Sequence, residues 1–195
     1  MPQRVKELHC IMPIANTTSI MQHGILSHER AAKLKHYSVA MEEIQDRRDK
    51  VQVPGGMRLH HYANLYFHAR NPMMFKRKDQ ADSLCVLRVS RDVLALERVV
   101  LADQNASSDY VRFLSPAQIR LINLDQVYAD DWRHPDDRIA YFRHKATMCA
   151  EVLVPNVVAP ELIVGAYVVN QQARQALLAT GFNRAVQINA HLFFQ

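Results

Sequence analysis

The sequence predicts a mixed α/β or α+β domain with a strand-built core in its second half. Apolar runs such as "SLCVLRVS", "CAEVLVP" and "LIVGAYVV" have the length and β-branched content of strands. They interleave with helix-like stretches such as "NQQARQALLATG", bounded by Asn170 and Gly181 as cap residues. A chain of 195 residues with 49% hydrophobic content is long and apolar enough to bury the core of a single domain.

Taken in order, "LHCIMPI" reads as a first strand. "NTTSIMQHG" follows as a helix, with Asn16 at its N-cap and Gly24 just past its end. Residues 28–50 are helical in composition, and "AMEEIQDRRDK" within them has the mixed charge of a solvent-facing helix. "VQVPGGM" is a turn, "ANLYF" a strand, "SLCVLRVS" a clear strand, "RDVLAL" a short helix and "RVVLAD" another strand. After the polar loop "QNASSDY" come short helices at "SPAQIRLI" and "LDQVYADDW". A helix at "HPDDRIAYFRHKATM" is expected, with Pro135 near its first turn. "CAEVLVP" and "LIVGAYVV" are strands, and "RAVQINAHLFF" closes the chain as a strand.

The net charge of +5 leans modestly toward a polyanionic partner. Three widely spaced cysteines, Cys10, Cys85 and Cys149, form no CxxC pair and fit a reducing cytoplasm. The N-terminus lacks the apolar stretch of a signal peptide, and no run is long enough to span a membrane, so a soluble cytoplasmic protein is expected. There is no GxGxxG, no GxxxxGK[ST] and no GxSxG, which argues against a Rossmann or P-loop phosphate cradle and a nucleophile elbow. His60, His61 and His68 match no common zinc spacing, so no metal is expected.

Several residues carry chemistry. Glu151 sits in the apolar run "CAEVLVP", where a carboxylate costs free energy unless it is paired, functional or turned to solvent by strand alternation. Arg47 and Arg48 lie on the charge-laced "EEIQDRRDK" stretch, and His9 in the first strand. The stretch "GMRLHHYANLYFHARNPMMF" mixes rings with cations: Tyr62, Tyr66 and Phe67 offer stacking faces, and Arg70, Lys76, Arg77 and Lys78 could neutralise phosphates. The loop "DQNASSDY" supplies hydroxyl and amide groups able to read base edges.

In this order these pieces resemble the DarT family of DNA ADP-ribosyltransferases. The likeness runs from about residue 8 to the C-terminus. It rests on His9 with "NTTSIMQHGIL", "SVAMEEIQDRRDKVQVPGG", "LHHYANLYFHARNPMMF", "VVLADQNASSDYVRF" and "AEVLVP". The resemblance implies an α+β, ADP-ribosyltransferase-like fold with a strand-built core and peripheral helices over residues 1–195. It implies use of NAD as ADP-ribose donor and modification of a base, thymine or guanine, in single-stranded DNA. It also implies a toxin paired with a DarG-type macrodomain antitoxin. Residue by residue, it implies Glu151 and Arg47 as catalytic, with Arg48 the adjacent alternative. His9, Asn16, Arg47, Tyr62, Tyr66 and Arg70 would contact NAD, and Asn105, Ser107, Arg143 and Lys145 would contact DNA. Ala63, Asn64, Leu65, Tyr66 and Asn71 depart from the thymidine-modifying pattern and leave the base open. The alternatives are transfer to RNA or protein, or a non-catalytic nucleic-acid-binding module.

Overall fold

A computed structural model describes residues 4–38 and 42–195. Among these residues the strands are β1 (Glu7–Pro13), β2 (Ile25–Leu26), β3 (Tyr62–Tyr66), β4 (Leu84–Ser90), β5 (Val100–Ala102), β6 (Phe113–Leu114), β7 (Glu151–Pro155), β8 (Val157–Val158), β9 (Ile163–Val168) and β10 (Ala185–Ile188). The α-helices are α1 (Thr17–His23), α2 (His28–Ala31), α3 (Glu42–Lys50), α4 (Pro72–Arg77), α5 (Leu124–Val127), α6 (Arg138–Thr147) and α7 (Gln171–Ala179). One sheet runs β10-β9-β4-β1-β3-β7-β5-β6, and β2 pairs separately with β8. Within the sheet only β9 and β10 run parallel. The first half of the chain supplies β1, β3 and β4 at the centre of this sheet, so the core is not confined to the second half. Long-range pairing, invisible to local pattern, places them there.

The sheet is continuous in order but not in register. β1 and β4 pair along their length, from Glu7↔Ser90 to Pro13↔Leu84. β3 and β7 likewise pair from Tyr62↔Pro155 to Tyr66↔Glu151. Between these two ladders, β1 and β3 share the single pair His9↔Tyr66. Beyond it the strands diverge, and residues from both line the cavity described below.

Helix ends follow side-chain chemistry. Asn170 caps α7 by accepting from the Ala173 N–H at 2.9 Å. Asn71, fully buried, caps α4 by accepting from Met73 and Met74, and it donates to the His68 carbonyl. α6 begins at Arg138 with Asp137 as its cap, so Pro135 lies in the preceding turn rather than in the first helical turn. The closing segment forms β10 and then a 3₁₀ turn at Ala190–Phe193. "RDVLAL" and "SPAQIRLI" also wind as 3₁₀ rather than α.

The stretch expected to be helical over 28–50 is broken. α2 ends at Ala31, the chain to Ser38 is non-helical, and residues 39–41 lie outside the described residues. Asn16 accounts for part of this. Its amide does not cap α1; it clasps the Tyr37 backbone instead, donating to the carbonyl at 2.7 Å and accepting from the N–H at 3.0 Å. A helix through Tyr37 would use those groups internally. Gly24 is required where α1 turns into β2. Its φ is +82°, and a Cβ there would stand 2.3 Å from the Val158 carbonyl oxygen.

A polar cluster ties three neighbouring strands together. Glu7 of β1 accepts from Arg88 of β4 at 2.8 Å and from the Tyr167 hydroxyl of β9 at 2.9 Å, with His9 at 3.2 Å. Burial pushes the Glu7 carboxyl up, but the hydrogen bonds from His9, Tyr167 and Arg88 outweigh it and hold it down at about 2, against an ordinary 4.5. A depressed carboxyl stabilises the fold fully above its unfolded value and loses that contribution as pH falls through the folded value. Glu7→Gln is therefore expected to lower unfolding stability by about 2 kcal/mol at neutral pH. The gap between the two proteins should close as pH falls from 4.5 toward 2, read from urea midpoints across that range.

Candidate functional site

β7 starts at Glu151, and the register opposes it to Tyr66 on one side and Ala102 on the other. A residue flanked by strands on both sides cannot turn its side chain to solvent past an edge, and Glu151 is fully buried. Arg48 of α3 meets it. The Nη1 of Arg48 donates to Oε1 at 3.1 Å and to Oε2 at 3.0 Å, while the Ala106 N–H donates to Oε1 at 3.0 Å. Arg48 is itself 6% exposed. A buried ion pair persists only when geometry and further hydrogen bonds offset desolvation, and the Ala106 amide supplies such a bond.

The structure brings Arg48, the adjacent alternative, to Glu151, and not Arg47. Arg47 is exposed and pairs with Glu43 across one turn at 2.5 Å, far from the role expected of it. Successive helical residues point about 100° apart, so only one of the two arginines can face the sheet. The signal was in the sequence. Ile44 is the one apolar residue of "EEIQDRRDK", and Arg48 lies four residues on, on the same face, whereas Arg47 lies four from Glu43.

Arg48 opens onto a cavity of about 430 Å³, within the range of small-molecule sites. Cys10, Ile11 and Met12 of β1 form one wall, and Tyr62, Asn64 and Tyr66 of β3 form the other. Asn16, His28 and Tyr37 line it, and so do Lys76 and Arg77 of α4. Asn105, Phe142 and Lys145 close the side toward α6. Tyr62 is fixed because its hydroxyl accepts from the Met57 N–H at 3.1 Å; a Cβ on Gly56 would stand 2.7 Å from that oxygen. The Tyr66 hydroxyl is held well above its ordinary range by burial and then by the nearby Glu151 carboxylate, so it stays a protonated donor. Burial pushes the Cys10 and Cys149 thiols up to about 12, so neither cavity cysteine is a nucleophile near neutral pH.

Of the other expected residues, Asn16, Tyr62, Tyr66, Asn105 and Lys145 come together at the cavity. His9 does not. Its ring contacts Glu7 and the Phe67 carbonyl, and its neighbour Cys10 lines the cavity in its place. Arg70 also lies elsewhere. It donates to the His191 carbonyl, stacks 3.9 Å over the Phe194 ring and neighbours Asp130, holding the C-terminal turn. Ser107 bonds Asn105, with its N–H at 2.9 Å and its hydroxyl at 2.7 Å from Oδ1, and shapes the loop rather than lining the cavity. Arg143 is exposed on α6 outside the lining. Sequence reading missed the Ala106 amide, since a backbone donor leaves no mark in residue type. Among the described residues no group of His, Cys, Asp or Glu could hold a metal ion, and no helix is long and apolar enough to cross a membrane.

Comparison with known proteins places this geometry. A DNA ADP-ribosyl transferase–DNA ADP-ribosyl glycohydrolase fusion protein of Thermosipho africanus (strain H17ap60334) is 28% identical over 195 residues, a match covering 95% of this chain and 48% of that protein. Thermosipho africanus DarTG in complex with ADP-ribose superposes with a TM-score of 0.86 at 27% identity, over 97% of this chain and 51% of that one. Thermus sp. 2.9 DarT in complex with ADP-ribosylated ssDNA gives 0.84 at 21% identity, over 97% of this chain and 96% of that one. The same protein in complex with NAD+ gives 0.81 at 20%, over 98% of each. The chain thus spans about half the length of the Thermosipho relative, and the Thermus likenesses carry the fold. The α+β architecture, a large central sheet with peripheral helices, is that of these ADP-ribosyltransferase structures. Residues 9–194 match a single family over nearly the whole chain, and the protein belongs to that family, the ssDNA thymidine ADP-ribosyltransferases, DarT.

Proposed function

We propose that the chain is an NAD-dependent mono-ADP-ribosyltransferase that modifies a base of single-stranded DNA. The observation that carries this reading is the fully buried Glu151, held by Arg48 and the Ala106 N–H behind a cavity walled by β1 and β3. The residues fit a dinucleotide. The Arg48 guanidinium lines the cavity with the buried Glu151 carboxylate behind it, tyrosines line one wall, and Lys76, Arg77 and Lys145 bring cations suited to a diphosphate. NAD supplies an activated ribose carbon, which the base nitrogen attacks as nicotinamide leaves and the base N–H proton is lost.

Glu151 accepts a hydrogen bond from a ribose hydroxyl, stabilises the positive charge that develops on the sugar, and takes the proton from the attacking nitrogen. Arg48 orients the carboxylate and presents its remaining N–H groups to the cavity. Tyr66, a protonated donor beside Glu151, positions the sugar. Asn105 and Lys145, on the α6 side, lie where an acceptor base would approach. A single strand suits the buried site because a paired base would first have to leave its stack, which costs a few kcal/mol.

The chain is one domain acting in the cytoplasm, consistent with three free cysteines. It acts as the toxin of a pair, its partner a DarG-type macrodomain that removes the modification, a pairing supported by the transferase–glycohydrolase fusion of the Thermosipho relative.

Mass spectrometry of four single-stranded oligonucleotides, each lacking one base, after incubation with protein and NAD tests the reaction. One added ADP-ribose in all but one oligonucleotide is expected, which names the base. Free nicotinamide without any gain in oligonucleotide mass would instead mean that ADP-ribose goes to water or to the protein itself, and the same incubation with added RNA or protein would then seek the acceptor. Glu151→Gln keeps an oxygen for the Ala106 N–H and is expected to fold and to lose roughly 10²- to 10⁴-fold in transfer rate. Glu151→Ala strands Arg48 without its partner and should also lose about 3–5 kcal/mol of stability by denaturant melt. Arg48→Lys should cut transfer at least about tenfold, since a lysine cannot reproduce the guanidinium geometry. Arg47→Lys should stay within about twofold of wild type, as expected of an exposed ion pair.

A further inference from the structure

We propose that Gln45 recognises the carboxamide of the nicotinamide leaving group, its Oε1 accepting an N–H of that amide. The inference rests on the NAD-dependent reading above and adds a specificity-determining residue to it. Three side-chain polar atoms among the described residues are buried without a hydrogen-bond partner: Gln45 Oε1, His60 Nε2 and Arg70 Nε. Of these three residues, Gln45 alone lines the cavity. Leaving such an oxygen unpaired costs about 1–3 kcal/mol, and native proteins seldom keep that cost where no ligand relieves it.

Its place on α3 indicates which ligand group does so. Gln45 lies three residues before Arg48 and neighbours it on the helix surface, about one turn from the guanidinium that grips Glu151. In the proposed reaction the bond that breaks lies at the Glu151–Arg48 pair. The groups within one helical turn of that bond are the ribose, whose hydroxyl is given to Glu151 in the reading above, and the nicotinamide, whose amide carries N–H donors. The adenine amine is the other N–H donor of the dinucleotide, but a diphosphate and a second ribose separate it from the reacting carbon.

The test compares NAD with 3-acetylpyridine adenine dinucleotide, in which a methyl group replaces the amide nitrogen and the carbonyl remains. Initial rates of ADP-ribose transfer to one single-stranded oligonucleotide are measured for wild type and Gln45→Met, which keeps the side-chain length and removes the acceptor. For wild type the KM for the analogue should exceed that for NAD by roughly tenfold, the worth of one buried hydrogen bond. In Gln45→Met the KM for NAD should rise by a similar factor and the preference should vanish. Any intrinsic difference between the two leaving groups cancels between the proteins. The thermal midpoint of Gln45→Met should equal or exceed that of wild type, because an unpaired acceptor has gone. An equal preference in both proteins overturns the proposal while leaving NAD turnover intact. A midpoint well below wild type shows the oxygen to be satisfied within the protein and also overturns it. If wild type consumes neither donor, the NAD-dependent reading falls and Gln45 falls with it.

Discussion

The contact between Arg48 and Glu151 sets conditions on almost everything near it. Two opposite charges, one fully buried and the other nearly so, are held by two N–H···O contacts from the guanidinium and one from the Ala106 backbone. Removing such groups from water is costly, and their mutual attraction offsets that cost only while all three contacts are kept. α3 must therefore approach β7 closely, and the loop bearing Ala106 must close over the carboxylate. That loop is anchored in turn: the Asn105 N–H donates to the Ala146 carbonyl of α6, and Ala106 packs with Val53, Leu59, Tyr62 and Leu153. The pair thus joins a polar helix, a central strand and an irregular loop that share little other chemistry.

The sheet gives this pair somewhere to act. A continuous ladder between β1 and β3 would fill the space that the cavity occupies; the single register pair at His9 and Tyr66 lets the strands part. β1 keeps its own rigidity through its long ladder with β4 and through the Glu7–Arg88–Tyr167 cluster, which fastens three strands together. The functional wall can diverge because its other side is held. This division between a fastened half-sheet and an open one connects the stability of the fold to the accessibility of the site.

Much of this was legible in the sequence, and the failures have physical reasons. β4, β7, β9 and α7 were marked by strong runs and caps, and each formed as expected. Glu151 stood out because a carboxylate in an apolar run demands an explanation. Non-local facts were hidden. The placement of β1 and β4 at the sheet centre depends on pairing between residues far apart in sequence. The break between α2 and α3 depends on Asn16 capturing the Tyr37 backbone from another element. The contacts of His9 with Glu7 and of Arg70 with the C-terminal turn leave both outside the cavity lining, and local reading does not connect these residues. The choice between Arg47 and Arg48 was within reach of helical periodicity read from Ile44. The Ala106 amide was not within reach of any sequence rule.

The proposal that transfer depends on the ion pair as a unit is tested most directly by a double-mutant cycle on the rate of ADP-ribose transfer, with Arg48→Lys, Glu151→Gln and the two combined. Groups that act together lose their joint contribution when either is changed. The combined variant should then be no slower than the slower single variant, within about twofold. A combined loss equal to the product of the two single losses would contradict this, because it would mean that Arg48 and Glu151 contribute independently.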